Sequence, residues 1–216
     1  MSDLKYIAFL AVLYLLFKFG PTQVINRILM AFLGKSGLEE VGRKALAAQP
    51  DRITLQPGPG PAKPEASNAV TALERRGFER AGSYVVREMK GVNVHLLVKP
   101  AEGAVAVVYE HVKAGVWADL ASRYVDGTSF TITSAPAGNG LDQMPGHVSV
   151  AAPRQSPVVL AARLVTERPA GALRQIRAAE FARVFEQAYE ESMAWRKGKG
   201  VSAAEVKRAG VERVSA

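Results

Sequence analysis

The chain has 216 residues, 48% of them hydrophobic, with 28 Lys and Arg against 20 Asp and Glu and no cysteine. That length holds one sizeable domain plus an appendage, and the apolar content excludes a disordered or fibrous chain. The absence of cysteine excludes disulfides, thiolate metal sites, a thiol nucleophile and a lipid-modified cysteine anchor.

The first element is the most apolar. Tyr6 to Phe17 is an unbroken apolar run between Lys5 and Lys18. A helix apolar on every side needs lipid or a large core around it, and this chain is too short to surround one. The run alone spans about 18 Å, and extension through Leu4 and Phe19, with the lysines reaching outward, gives a short span of about 24 Å. The expected membrane anchor therefore rests on Tyr6, Phe9, Leu10, Leu13, Leu16 and Phe17, with Lys5, Lys18, Arg27 and Lys35 at headgroup level. Gly20-Pro21 breaks the helix, after which Val24, Ile25, Ile28, Leu29, Phe32 and Leu33 recur at helical spacing as an interfacial segment. A cleaved leader fits less well because no small-x-small site follows Phe17 closely, and a hairpin docked on the domain would waste the outward half of the helix. Lys5 stands alone before the run while Lys18, Arg27 and Lys35 follow it, so the positive-inside bias predicts a single-pass protein with its C-terminal domain in the cytoplasm.

Residues 36–48 predict a short helix with Ser36 as N-cap and Glu39 completing a capping box. Gln49 to Pro64 is rich in proline and reads as a semi-rigid spacer. From Glu65 onward a folded domain is expected, beginning with a short helix carrying Val70 and Leu73. Strand patterns follow at Ser83–Met89, Val92–Val98, Ala104–Val112, Val116–Val125, Thr128–Ser134 and His147–Ala151. Asp126-Gly127 marks a hairpin, and beyond it Phe130 and Ile132 alternate with Ser129, Thr131 and Thr133, one face buried and the other polar. Pro157 after Ser156 opens a helix that ends at Arg168-Pro169, and the longest helix runs from about Ala178 to Lys197. Ser202 and Glu205 form a capping box for a last helix.

The predicted organisation is an anchor and interfacial segment (1–35), a short helix and Pro-rich linker (36–64), and an α+β domain (65–216). In that domain an antiparallel meander of five or six strands is covered on one face, chiefly by C-terminal helices.

No catalytic set emerges. None of His95, His111 and His147 has a second histidine at metal-binding spacing. Glu110 and His111 are adjacent on a strand and point to opposite faces. No GxSxG elbow, P-loop or dinucleotide fingerprint is present. The residues from which the fold could assemble a site are His111, Asp119, Asp142 and His147, the third on a long loop from Ala135 to Gly146. Residues 101–150 carry two basic against five acidic side chains, and the positive excess lies near the anchor and on the C-terminal helices, from Arg174 to Arg208. Interleaved acids and the lack of an aromatic ladder argue against nucleic acid, whereas an anionic leaflet attracts such a surface. The expected partners are membrane lipid and either a protein or a small apolar ligand, with no cofactor or metal. The function this pattern predicts is a non-catalytic interaction or ligand-binding domain at a membrane surface. The alternatives are an enzyme with a site built from sheet and loop, and a structural subunit of a membrane complex.

Overall fold

The computed structural model describes residues 34–135 and 141–215. Among these, the strands are β1 (Leu55–Pro57), β2 (Glu79–Val86), β3 (Val92–Lys99), β4 (Ala104–His111), β5 (Gly115–Arg123), β6 (Ser129–Thr133) and β7 (His147–Ala151), in one sheet whose spatial order is the chain order. The helices are α1 (Lys35–Ala47), α2 (Pro64–Glu74), α3 (Pro157–Glu167), α4 (Ala178–Lys199) and α5 (Ala203–Ser215). The chain is thus α+β, with a seven-stranded, mostly antiparallel sheet. The expected anchor on Tyr6, Phe9, Leu10, Leu13, Leu16 and Phe17, with Lys5, Lys18 and Arg27, lies outside the described residues. Within them no helix is long and apolar enough to cross a membrane. Lys35, expected at headgroup level, is the exposed first residue of α1.

Period-two alternation divides the core. Leu97, Ala106, Val108, Ala118, Leu120, Phe130 and Ile132 point to one face, where they pack with Val70 and Leu73 of α2 and Leu160 and Leu164 of α3. Val94, Leu96, Val98, Val105 and Val107 point to the other, against Phe181 and Val184 of α4 and against Ile53. Helices therefore cover both faces, correcting the one-sided cover expected from sequence. β4 is buried and apolar on both sides from Ala104 to Val108, which an antiparallel sheet with a solvated face would not tolerate.

Three further points differ from the sequence reading. The Pro-rich stretch is packed on the domain rather than spaced from it, and it supplies β1, paired antiparallel with β2 at the sheet edge, where proline costs no ladder bond. Side chains distant in sequence hold it there: the Thr54 and Leu55 amides donate to Glu88 and Glu186 at 2.7 and 2.6 Å, and the Tyr189 hydroxyl donates to the Pro50 carbonyl at 3.1 Å. Secondly, β6 and β7 are parallel, not antiparallel. A parallel neighbour needs a connection of about a dozen residues or more, and the long loop before His147 supplies it. Thirdly, α1 begins at Lys35 with Gly34 as N-cap and no side-chain cap, so Ser36 lies inside the helix.

Other local signals act as their chemistry dictates. Gly127 takes φ +90°, and the Asp126 carboxylate accepts from the Thr128 amide at 2.9 Å, closing the β5–β6 turn. Ser156 caps α3 by accepting from the Val159 amide, and the helix stops before Pro169. Ser202 and Glu205 cap α5 reciprocally. α5 packs on α1 through Leu38, Ala203 and Val206, and Gly42 is required there: a Cβ would lie 2.8 Å from a Val206 methyl.

Candidate functional site

The two helical layers are finished differently. α4 lies over β2 and β3, and on its face the strands β5 to β7 are left to the long β6–β7 connection and to Ala209 of α5. Side chains pointing to this side of β5, β6 and β7 are small or polar: Asp119, Ala121 and Arg123, then Ser129 and Thr131, then His147 and Ser149. With α4 packed on β2 and β3 and meeting β5 through the Glu191–Arg123 ion pair at 3.5 Å, these side chains leave a cavity of about 650 Å³. Its other walls are apolar, formed by Val94, Val107, Tyr109, Phe181, Val184 and Phe185, while Leu141 to Met144 and Arg196 form part of its rim. The cavity is thus amphipathic, with a size and mixed lining typical of small-molecule sites.

Of the four residues named from sequence, three line this cavity. Asp119 sits on its β5 floor, beside the hydroxyls of Thr133 and Tyr109. Burial among these walls pushes its carboxyl up to about 6, against the pull of those two hydroxyls. In return, burial and the charge of Asp119 push the Tyr109 phenol up. Asp119 Oδ1 is buried without a hydrogen-bond partner. His147 Nδ1 lies 2.8 Å from Ser129 Oγ, and burial followed by the charge of Arg123 lowers its basicity. Asp142 faces the corner between α4 and α5: Arg208 and Lys199 reach its carboxylate at 2.5 and 3.0 Å, and Arg196 donates to its carbonyl at 3.2 Å. His111 is elsewhere. Its Nδ1 accepts from the Lys113 and Ala114 amides at 3.0 and 2.8 Å, capping the β4–β5 turn. Asp119, Asp142 and His147 therefore share a cavity while each engages different partners, and nothing in these contacts makes an acid–base pair.

Two residues that sequence reasoning did not single out for the site belong to it. Arg196 was one of several basic residues on the long helix, but its Nη1 is buried without a partner. Among the described residues, this atom and Asp119 Oδ1 are the buried side-chain polar atoms left unbonded, and both belong to residues lining the same cavity. Glu205, read only as a capping residue, is 1% exposed and holds the rim: it accepts from the Asp142 amide at 2.9 Å, from Lys199 at 2.9 Å and from the Ser202 amide at 2.8 Å. Burial would push its carboxyl up, but these donors outweigh it and hold it at about 2. The sequence signal is the run of small hydroxyl residues on one face of β6, Ser129, Thr131 and Thr133, with Ser149 on β7 beside it. It reads as a solvent face until α4 is placed above it.

The opposite face carries a polar cluster that is fully occupied. Ser83 Oγ and His95 Nδ1 are 2.9 Å apart, and His95 Nε2 lies 3.4 Å from Glu110 Oε2. Glu110 also accepts from the Ala62 and Lys63 amides at 3.0 and 3.2 Å, at the N-terminus of α2, where the helix dipole favours a carboxylate. This serine–histidine–carboxylate chain pins the Pro-rich strap to the sheet, and it does not line the cavity above β5 to β7. Burial, only partly offset by Glu110, lowers the basicity of His95.

No metal-ligating cluster of histidine and carboxylate side chains occurs among the described residues. No protein-family model matches the chain, and no curated protein or solved structure does either.

Proposed function

We propose that this protein binds a small amphipathic molecule in the cavity between α4 and strands β5 to β7, and that its N-terminal apolar run carries this domain on the cytoplasmic side of a membrane. The observation that carries the reading is the pairing of an amphipathic cavity with two unbonded buried polar atoms, Asp119 Oδ1 and Arg196 Nη1. A buried polar group without a partner costs on the order of 1–3 kcal/mol, more when charged, so such groups at a cavity favour an occupant that bonds them. The membrane placement is supported by the unbroken run from Tyr6 to Phe17 and by the lysine and arginine bias after it.

The test is purification of the full chain from gently solubilised membranes, followed by mass spectrometry of extracted small molecules. A co-purifying amphiphile that is lost from a variant with a filled cavity, Ala121→Leu, supports the reading. An empty cavity with a stoichiometric protein partner favours the structural-subunit alternative instead. Removal of residues 1–35 should move the domain to the soluble fraction, and persistent membrane association would break the single-anchor account. The enzyme alternative draws on one observation, the Asp119 carboxyl at about 6, a value suited to proton transfer near neutral pH. It requires a second reacting group beside Asp119, which the contacts of Asp142 and His147 do not supply.

A further inference from the structure

The polar atoms of the cavity also specify the chemistry of a head group, an assignment that rests on the proposed ligand binding. The two unbonded atoms differ in kind. Asp119 Oδ1 is an acceptor on the strand floor and requires a donor. Arg196 Nη1 is a donor on the helix wall and requires an acceptor, while Nη2 of the same guanidinium is already given to the Asp142 carbonyl. A purely anionic head would satisfy the arginine and be repelled by an ionised aspartate; a purely cationic head would do the reverse. Of the remaining polar floor, Ser129, Thr131 and Ser149 carry no charge, burial and the charge of Arg123 hold His147 toward its neutral form, and Arg123 is balanced by Glu191 at 3.5 Å. The unpaired charge presented to a ligand is thus one negative and one positive group, above a body-binding wall of valine and aromatic side chains.

We infer that the cavity takes a single-chain amphiphile with a zwitterionic head, its ammonium donating to Asp119 and its phosphate or carboxylate accepting from Arg196, with the chain along the α4 wall. The occupant follows from charge complementarity with these two residues.

The experiment uses the full chain held in amphipol and native mass spectrometry titrations with five probes: lauroyl-lysophosphatidylethanolamine, its phosphatidylcholine counterpart, lauric acid, dodecylamine, and chain-free phosphoethanolamine. The ethanolamine lipid should bind at least tenfold more tightly than the choline lipid, whose quaternary nitrogen has no N–H to donate. Asp119→Asn should remove that preference and tighten lauric acid, which then meets no repelling carboxylate. Arg196→Gln should weaken both the ethanolamine lipid and lauric acid while tightening dodecylamine, from which it removes a repelling charge, with circular dichroism confirming that each variant is folded. Equal binding of every single-chain probe, unaltered by either substitution, would show that water serves the two atoms and would overturn the head-group assignment while the amphiphile reading stands. Binding of phosphoethanolamine as tight as that of its acylated form would overturn the role of the apolar wall. Binding of none of the five would overturn both.

Discussion

The two faces of the sheet are built from alternate residues of the same strands, yet they meet different ends. On the α2–α3 face, Leu120, Ile132, Leu160 and Leu164 are fully buried against one another, and even the polar residues, Ser83, His95 and Glu110, are bonded in sequence. On the α4 face, packing of that quality extends over β2 to β4 and then gives way to small and polar side chains, with a cavity and two unbonded polar atoms. A core optimised for stability fills space and satisfies donors and acceptors, and departures from that rule concentrate where a protein does something else. The contrast between a closed face and an open one within a single sheet is the strongest functional statement this molecule makes.

That contrast can be broken by mutation. Leu120→Ala on the closed face should cost about 3–4 kcal/mol in denaturant unfolding, because a fully buried leucine leaves a void its neighbours cannot fill. Thr131→Ala on the cavity floor should cost less than about 1 kcal/mol, since it adjoins space already present. Comparable losses at the two positions would remove the distinction. Asp119→Asn should stabilise the fold at pH 7.5 by up to about 3 kcal/mol and leave it unchanged near pH 4. The sign follows from a folded value of about 6 above the ordinary 3.8: the stability of the wild-type group is fully present below 3.8 and is lost as pH rises through 6. A destabilised Asn variant at pH 7.5 would show that the carboxylate is structurally needed.

The closed face should respond to pH in the opposite sense. His95 is held below its ordinary 6.5 by burial, so its neutral form supports the fold above 6.5 and that support is lost as pH falls below it. His95→Gln should flatten the acid limb of the stability profile, whereas Asp119→Asn should flatten the neutral limb. Glu110→Ala, which strands the Ala62 and Lys63 amides, should cost about 2 kcal/mol. It should also speed hydrogen exchange of those two amides while leaving exchange on β6 and β7 unchanged.

Much of this architecture is legible from spacing alone. Six of the strands, the Asp126-Gly127 turn and the helices opening at Pro157, Ala178 and Ser202 announce themselves within a few residues, because alternation, turn glycine and caps are local signals. β1 is not, because Leu55-Gln56-Pro57 has no local strand character and is held by Val86, Glu88 and Glu186 from elsewhere in the chain. The parallel pairing of β7 is decided by the path of a long connection. The site is less legible still: Asp119, Asp142 and His147 stand out as polar residues in otherwise structural segments, but which of them share a cavity depends on where the strands lie side by side.

Composition and periodicity by themselves determined an apolar N-terminal run, an α+β domain, and the alternation that sends Asp119 to one side of β5 and Leu120 to the other. Only the tertiary structure decided that helices cover both faces, that α4 packs on β2 and β3 rather than on β5 to β7, and that Arg196 and Asp119 line the space this leaves. The reason is physical. Hydrophobic periodicity fixes which way a side chain points from its own backbone, whereas a cavity is defined by what fails to arrive from another part of the chain.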